Sequence, residues 1–317
     1  MGATTALRPA LERAIDVLGP VTSLWRAPLP ALQALAEEVG VKAAGFDKFD
    51  LVRRLADLSS GPARDAVRGL SREYALAGRT SVSIRLPSSD VHLAAADKMV
   101  EDCVRGLAGG ADPFGQPLRP AVSESPALNW AVSGDGELIM EFVKYGAAHV
   151  ALEGYEWRKS RSTQRVHVLR SGDGCLHLRG DYYAAKSVAE QLELAGFTGT
   201  EPMQFVVNDA EALADALGGR LTRNKGRATE DRPIDTKDLQ SRAGGDIRTD
   251  DDYDAEVEGY EPHVEAVTFD CEGCAGHVTV EASLTRPTLF FRTEAREQDI
   301  QRVLAAVVDM KTGAGSP

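Results

Sequence analysis

An α+β fold is what this chain of 317 residues predicts: a small N-terminal helical bundle, then a body of antiparallel strands and helices. Three observations carry the expectation. Over residues 1–78 apolar side chains recur at helical spacing in short segments that close on Gly or on a Gly/Pro signal. From residue 80 the period shifts toward two, and strand-like runs alternate with helical ones. A strand-turn-strand-helix pattern then occurs twice, 113 residues apart.

The helical segments are LRPALERAIDVLG, LPALQALAEEVG, FDLVRRLADL and RDAVRGLSREYALAG, with Ser60-Gly61-Pro62 breaking the chain before the last. They delimit a helical module over residues 1–78. SVSIRLP reads as a short strand and SSDVHLAAADKMVEDCVRGL as a helix for which Ser88, Ser89 and Asp90 are N-cap candidates. GGADPFGQPLRPAVSESP has loop composition. Strands follow in LNWAVS, ELIMEFVKY, AHVALEGYEW, QRVHVLR and CLHLRG, then the helix DYYAAKSVAEQLELAG, the strand PMQFVV and the helix NDAEALADALGG. Residues 79–217 thus form the first part of an α+β body. Residues 218–262 are hydrophilic and include the acidic run TDDDYDAEVEGYE, so they read as a mobile loop or linker with too little apolar surface to offset its ordering entropy. Residues 263–317 supply EAVTFD, GHVTVEASL, PTLFFR and the helix EAREQDIQRVLAAVVDM, completing the sheet.

The two similar units are QRVHVLRSGDGCLHLRGDYYAAKSVAEQL and GHVTVEASLTRPTLFFRTEAREQDIQRVL, in which Arg179 and Asp181 correspond to Arg292 and Glu294. They read as halves of a pseudo-symmetric sheet with helices on one face.

Composition narrows the class. No apolar run approaches the roughly 18 residues that span a bilayer, which points to a soluble protein without a membrane partner. Four dispersed cysteines do not form a secreted disulfide framework and suit a reducing, cytoplasmic setting. Arg outnumbers Lys 27 to 9 in an Ala- and Gly-rich chain, a prokaryotic composition that would make a chromosome-bound form nucleoid-associated. The net charge of −12 is uneven: residues 1–200 carry 23 basic against 24 acidic residues, and residues 201–317 carry 13 against 24. General acidity disfavours nonspecific nucleic-acid coating but leaves room for a local basic patch.

The strongest such patch is YEWRKSRSTQRVHVLR, with five Lys/Arg in sixteen residues. Burying Val166, Val168, Leu176 and Leu178 together requires a three-residue turn at Gly172-Asp173-Gly174, which pairs Val168 with Leu178 and His167 with Arg179. Arg165, His167, His177 and Arg179 then share the opposite face, with Trp157, Arg158, Lys159 and Arg161 upstream. That face could receive phosphate oxygens or a partner's carboxylates, or be an ordinary solvated sheet surface.

CEGCAGH offers Cys271, Cys274 and His277 as zinc ligands, with His263 as a distant fourth; a redox pair or a plain turn explains the same letters. No nucleophile elbow, phosphate-binding loop or metalloprotease helix occurs, so catalysis is the minority reading and no cofactor other than zinc is implied.

Residues 29–55, LPALQALAEEVGVKAAGFDKFDLVRRL, resemble the SAP motif, a two-helix DNA-binding element: Leu32, Leu35, Gly40-Val41, Gly45, Lys48, Leu51-Val52, Arg54 and Leu55 match, with one extra residue between Gly45 and Lys48. The resemblance implies phosphate contacts from Lys42, Lys48, Arg53 and Arg54. At the level of the whole chain, WRAPLPALQALAEE with FDLVRRL and the two strand-strand-helix units resemble the centromere protein N/Chl4 (Mis15) family. That resemblance implies a sheet like that of the TATA-binding protein and a non-catalytic protein that recognises DNA or nucleoprotein beside a protein partner. The expectation is therefore a DNA- or chromosome-associated binding protein; a protein-binding scaffold or homo-oligomer using the same sheet face, and a zinc or redox protein at Cys271/Cys274, are the alternatives.

Overall fold

The computed structural model describes residues 8–58, 61–78, 80–87, 97–120, 122–134, 136–153, 156–171, 174–197, 199–229, 234–241, 244–271 and 276–313, with the backbone alone for 8, 97–99, 147–153 and 156–161. In chain order it contains α1 (Arg8–Leu24), α2 (Leu29–Glu38), α3 (Lys48–Asp57), α4 (Arg64–Tyr74), β1 (Ser81–Pro87), α5 (Asp97–Leu107), β2 (Ala127–Gly134), β3 (Glu137–Glu153), β4 (Glu156–Arg170) and β5 (Leu176–Arg179). It continues with α6 (Tyr182–Leu194), β6 (Thr200–Pro202), α7 (Asp209–Leu217), β7 (Arg220–Ala228), β8 (Thr236–Gln240), α8 (Tyr253–Val257), β9 (Tyr260–Asp270), β10 (His277–Ser283), β11 (Thr288–Phe291) and α9 (Glu297–Thr312). The fold is α+β, with antiparallel strand pairing.

The chain divides into two compact units, one from Thr5–Gly19 and Ser81–Pro202, the other from Pro20–Thr80 and Met203–Pro317. They are called here, by sequence position only, the central and the flanking unit. The helical module expected over residues 1–78 is therefore divided: α1 is broken at Gly19 (φ 73, ψ 164), just before Pro20, where the chain passes between units. A left-handed glycine followed by a residue without an N–H is a sufficient physical cause for the break.

In the central unit the strand order is β2-β3-β4-β5-β1, with β6 also on β1. The β4–β5 hairpin has the expected register, with Val168 opposite Leu178 and His167 opposite Arg179. Gly174 closes its turn at φ 86, donating its N–H to the Ser171 carbonyl. One sheet face (Ala131, Met140, Phe142, Val166, Val168, Leu178) packs on Val104 of α5 and on Ala185, Val188 and Leu192 of α6. Asp181 starts α6 by accepting from the N–H groups of Tyr183 and Ala184, as an N-cap carboxylate does. The preceding Gly180 lies against β4: a Cβ there would fall 2.6 Å from the Arg165 carbonyl oxygen. Gly180→Ala is expected to cost about 1 to 3 kcal/mol in urea unfolding, because backbone rather than a flexible side chain would have to yield.

In the flanking unit the strand order is β11-β10-β9-β7-β8. Strand, strand, helix recurs here as β10, β11, α9, matching β4, β5, α6, although four residues (284–287) separate the last β10–β11 pair. The segment expected to be a mobile linker, residues 218–262, instead contains β7, β8 and α8. Polar contacts take the place of an apolar core there. Arg223 binds both oxygens of Asp238 (2.9 and 2.6 Å) and one of Glu281 (2.8 Å), Arg248 bridges Asp246 and Asp215, and Lys237 pairs with Glu256. The expected strand PMQFVV (202–207) is not formed: β6 ends at Pro202, its first residue, and 203–207 are not strand. Leu24, Leu32, Leu35, Leu51, Val52, Leu55, Val67 and Tyr74 form the separate core of the helical module.

Candidate functional site

The polar face read from the β4–β5 alternation is real as a row of residues but is not open to solvent. Register aligns Trp130, Glu141, His167 and Arg179 across β2, β3, β4 and β5. Glu141, His167, His177 and Arg179 are only 1, 2, 6 and 1% exposed. The expectation that His167, His177 and Arg179 present an accessible binding face is corrected accordingly. Arg165 keeps 42% of its side chain in solvent.

Glu141 organises this row. Its Oε1 accepts from Asn129 Nδ2 (2.8 Å) and Trp130 Nε1 (3.1 Å), while its Oε2 faces Arg165 Nη1 (3.1 Å) and His167 Nε2 (3.0 Å). Two consecutive residues of β2 reach one carboxylate because the register shifts between Leu128 and Trp130, leaving Asn129 as the extra residue of a bulge. Asn129 Oδ1 in turn accepts from the N–H of Arg119, fastening the long loop before β2. Burial alone would raise the Glu141 carboxyl; the His167 hydrogen bond and charge, the Arg165 charge and the Asn129 bond outweigh it and hold the pKa at about 2. Glu141, Asn129 and Trp130 were not anticipated as members of a polar cluster.

The exposed candidates lie on the helical module. Lys42 is exposed in the connection between α2 and α3. Lys48 opens α3 with its ammonium 5.7 Å from the Trp25 ring centre; the Arg53 guanidinium lies 5.7 Å from the Phe49 ring and that of Arg54 lies 4.0 Å from Phe46. Trp25 and Phe49 meet edge to face at 6.3 Å while remaining 48 and 51% exposed. Asp47 caps α3 by accepting from the Asp50 N–H (2.9 Å). Among the described residues, none of Lys42, Lys48, Arg53 and Arg54 has a carboxylate oxygen within 4.0 Å. Exposed aromatics with cations over their rings are not singled out by the sequence reading, although Trp25 lies just before the SAP-like segment and Phe49 within it.

Trp157, Arg158, Lys159 and Arg161 are on β4 itself, opposite Leu152, Ala151, Val150 and Ala148 of β3. The expected strand AHVALEGYEW, which ends on Trp157, is divided between β3 and β4, and Arg158, Lys159 and Arg161, expected between two strands, are within β4. Their side chains are outside the described residues. Cys271 follows β9 and its N–H bonds to the Gly276 carbonyl, beside His277 at the start of β10; Cys274 lies outside the described residues. No metal-binding group of three His, Cys, Asp or Glu occurs among the described residues. No described helix is long and apolar enough to cross a membrane. Compared with models of protein families and with curated proteins, the chain matches none.

Proposed function

We propose that this is a non-catalytic, DNA-associated binding protein that docks through α2, α3 and the turn between them. The observation that carries the reading is the set of half-buried Lys48 with exposed Arg53 and Arg54, each resting on an aromatic ring and none neutralised by a carboxylate of its own among the described residues. A cation in that state keeps its charge for a phosphate oxygen, and the ring beneath it limits the freedom lost on binding. Half-exposed Trp25 and Phe49 beside these cations favour an interface over a merely solvated face, since solvated faces seldom carry paired large rings. The likeness of residues 29–55 to the SAP motif points the same way. Burial of His167, His177 and Arg179 moves the reading away from the sheet face and onto the helices.

Titration of a labelled DNA duplex across about 50 to about 200 mM salt tests it. Affinity is expected to fall steeply with salt, and Lys48→Gln with Arg53→Gln and Arg54→Gln to reduce the log–log slope by roughly 2 to 3, near 0.9 for each lost phosphate contact. Absence of duplex binding at the lowest salt would refute the proposal.

A further inference from the structure

The basic stretch that stood out in the sequence lies on a two-stranded ribbon that continues past its sheet. β2 pairs with β3 as far as Val143, and β5 pairs with β4 from His167 onward. Beyond those limits β3 and β4 pair with each other from Lys144 opposite Gln164 to Glu153 opposite Glu156, and no third strand joins them among the described residues. About ten residues per strand at about 3.3 Å each make a ribbon roughly 30 Å long.

The departure point is built for a bend. Register shifts between Tyr145 and Ala148, so β3 carries one extra residue there. A bulge of this kind bends a strand and strengthens its twist. Gly146 lies in this bulge, and a Cβ there would require the Ser162 hydroxyl to rotate away, its Oγ being 2.2 Å off.

Charge on this segment runs against that of the chain. Residues 144–164 contain Lys144, Arg158, Lys159 and Arg161 against only Glu153 and Glu156, whereas the whole protein carries −12; Arg165, at the base, is paired with Glu141. Both acids sit at the ribbon's far end, opposite each other. Near the base, Ser162, Thr163, Gln164 and Arg165 are exposed. A duplex major groove about 12 Å wide admits a two-stranded ribbon, and its walls are phosphates.

We propose that the β3–β4 ribbon enters the major groove of duplex DNA, its cations contacting the phosphates on either side. This rests on the DNA-binding reading above and adds a second contact to it. Lys and Arg on a free strand edge also serve to discourage edge-to-edge aggregation, so a groove-specific readout is required.

Two variants test the ribbon: Arg158→Gln with Lys159→Gln and Arg161→Gln, which keeps the backbone, and replacement of residues 147–161 by Asn-Gly. In the first, duplex affinity at fixed salt is expected to fall about 10- to 100-fold and the salt slope to shrink by roughly 2 to 3. Wild-type protein is expected to protect guanine N7, a major-groove atom, from dimethyl sulfate, and both variants to lose that protection. Wild-type affinity and slope in the Gln variant would overturn the ribbon contact while leaving DNA binding in place. Lost affinity with guanine N7 never protected would overturn the groove assignment. A wild-type protein that binds no duplex at all would remove the preceding reading and this one with it. Should the shortened protein fail to fold, the Gln variant alone decides, with its thermal midpoint as the control.

Discussion

Glu141→Gln is expected to reduce the free energy of unfolding by roughly 3 to 5 kcal/mol, the range for removing one partner from a buried ionic cluster. The carboxylate is 1% exposed and has Asn129, Trp130, Arg165 and His167 around its two oxygens, close to its full acceptor capacity. A glutamine keeps the shape but offers one acceptor oxygen, and its NH2 must face a donor whichever way the amide turns. Acid sensitivity follows from the same geometry. With a folded pKa of about 2 against an ordinary 4.5, the ionised form binds fewer protons folded than unfolded, so its stabilisation is complete above about pH 4.5 and is lost as pH falls through about 2. The difference corresponds to roughly 3 kcal/mol. Urea unfolding from pH 3 to pH 7 should show the wild-type advantage over the variant shrinking at the acid end. An advantage that is small and flat with pH would mean the cluster does not stabilise the fold and is retained for another purpose.

Much of the local structure was legible because short-range chemistry dictates it. The β4–β5 register follows from which residues must be buried together and from a glycine at the left-handed turn position. Leu32, Leu35, Leu51, Val52 and Leu55 entered one helical core, as their spacing required. Which sheet faces are covered was not legible from β4 alone, since alternation sorts residues onto faces without saying what lies against either. β3 did hold a signal. In ELIMEFV, Leu138, Met140 and Phe142 share one parity while Ile139 and Val143 share the other, and all five are buried. Apolar residues at both parities mark a strand buried on both sides. The β7–β8 hairpin was missed for the opposite reason, being held by backbone pairing and by Arg223 between Asp238 and Glu281 with few apolar residues to announce it. The helical surface was half legible: the cations were named from the motif likeness, but their placement over Trp25, Phe46 and Phe49 depends on how α2 and α3 pack.

Glu265 should act in the opposite sense to Glu141. It is 2% exposed, its Oε1 accepts only a long bond from Asn224 Nδ2 (3.4 Å), and its Oε2 has no hydrogen-bond partner among the described residues. The other hydrogen of the same Asn224 amide donates to the Tyr253 hydroxyl at 3.0 Å, so one long bond is all the amide gives the carboxylate. Burial first, then the negative charges of Glu211 and Asp209, raise its pKa to about 7. Because the folded value exceeds the ordinary 4.5, the folded protein holds this proton more tightly than the unfolded chain does. Folding is therefore penalised increasingly as pH rises from about 4.5 to about 7, by roughly 3 kcal/mol once the group is ionised. Glu265→Gln removes the ionisation and keeps the shape. The variant is expected to unfold at a higher temperature than wild type at pH 8 and at the same temperature near pH 4, as read by circular dichroism. Equal midpoints at both pH values, or a variant less stable at pH 8, would show that the ionised carboxylate is satisfied in the folded protein. An acid that does carry this cost between Asp209, Glu211 and Tyr253 lowers stability at neutral pH, so its retention has to be explained by something other than the fold.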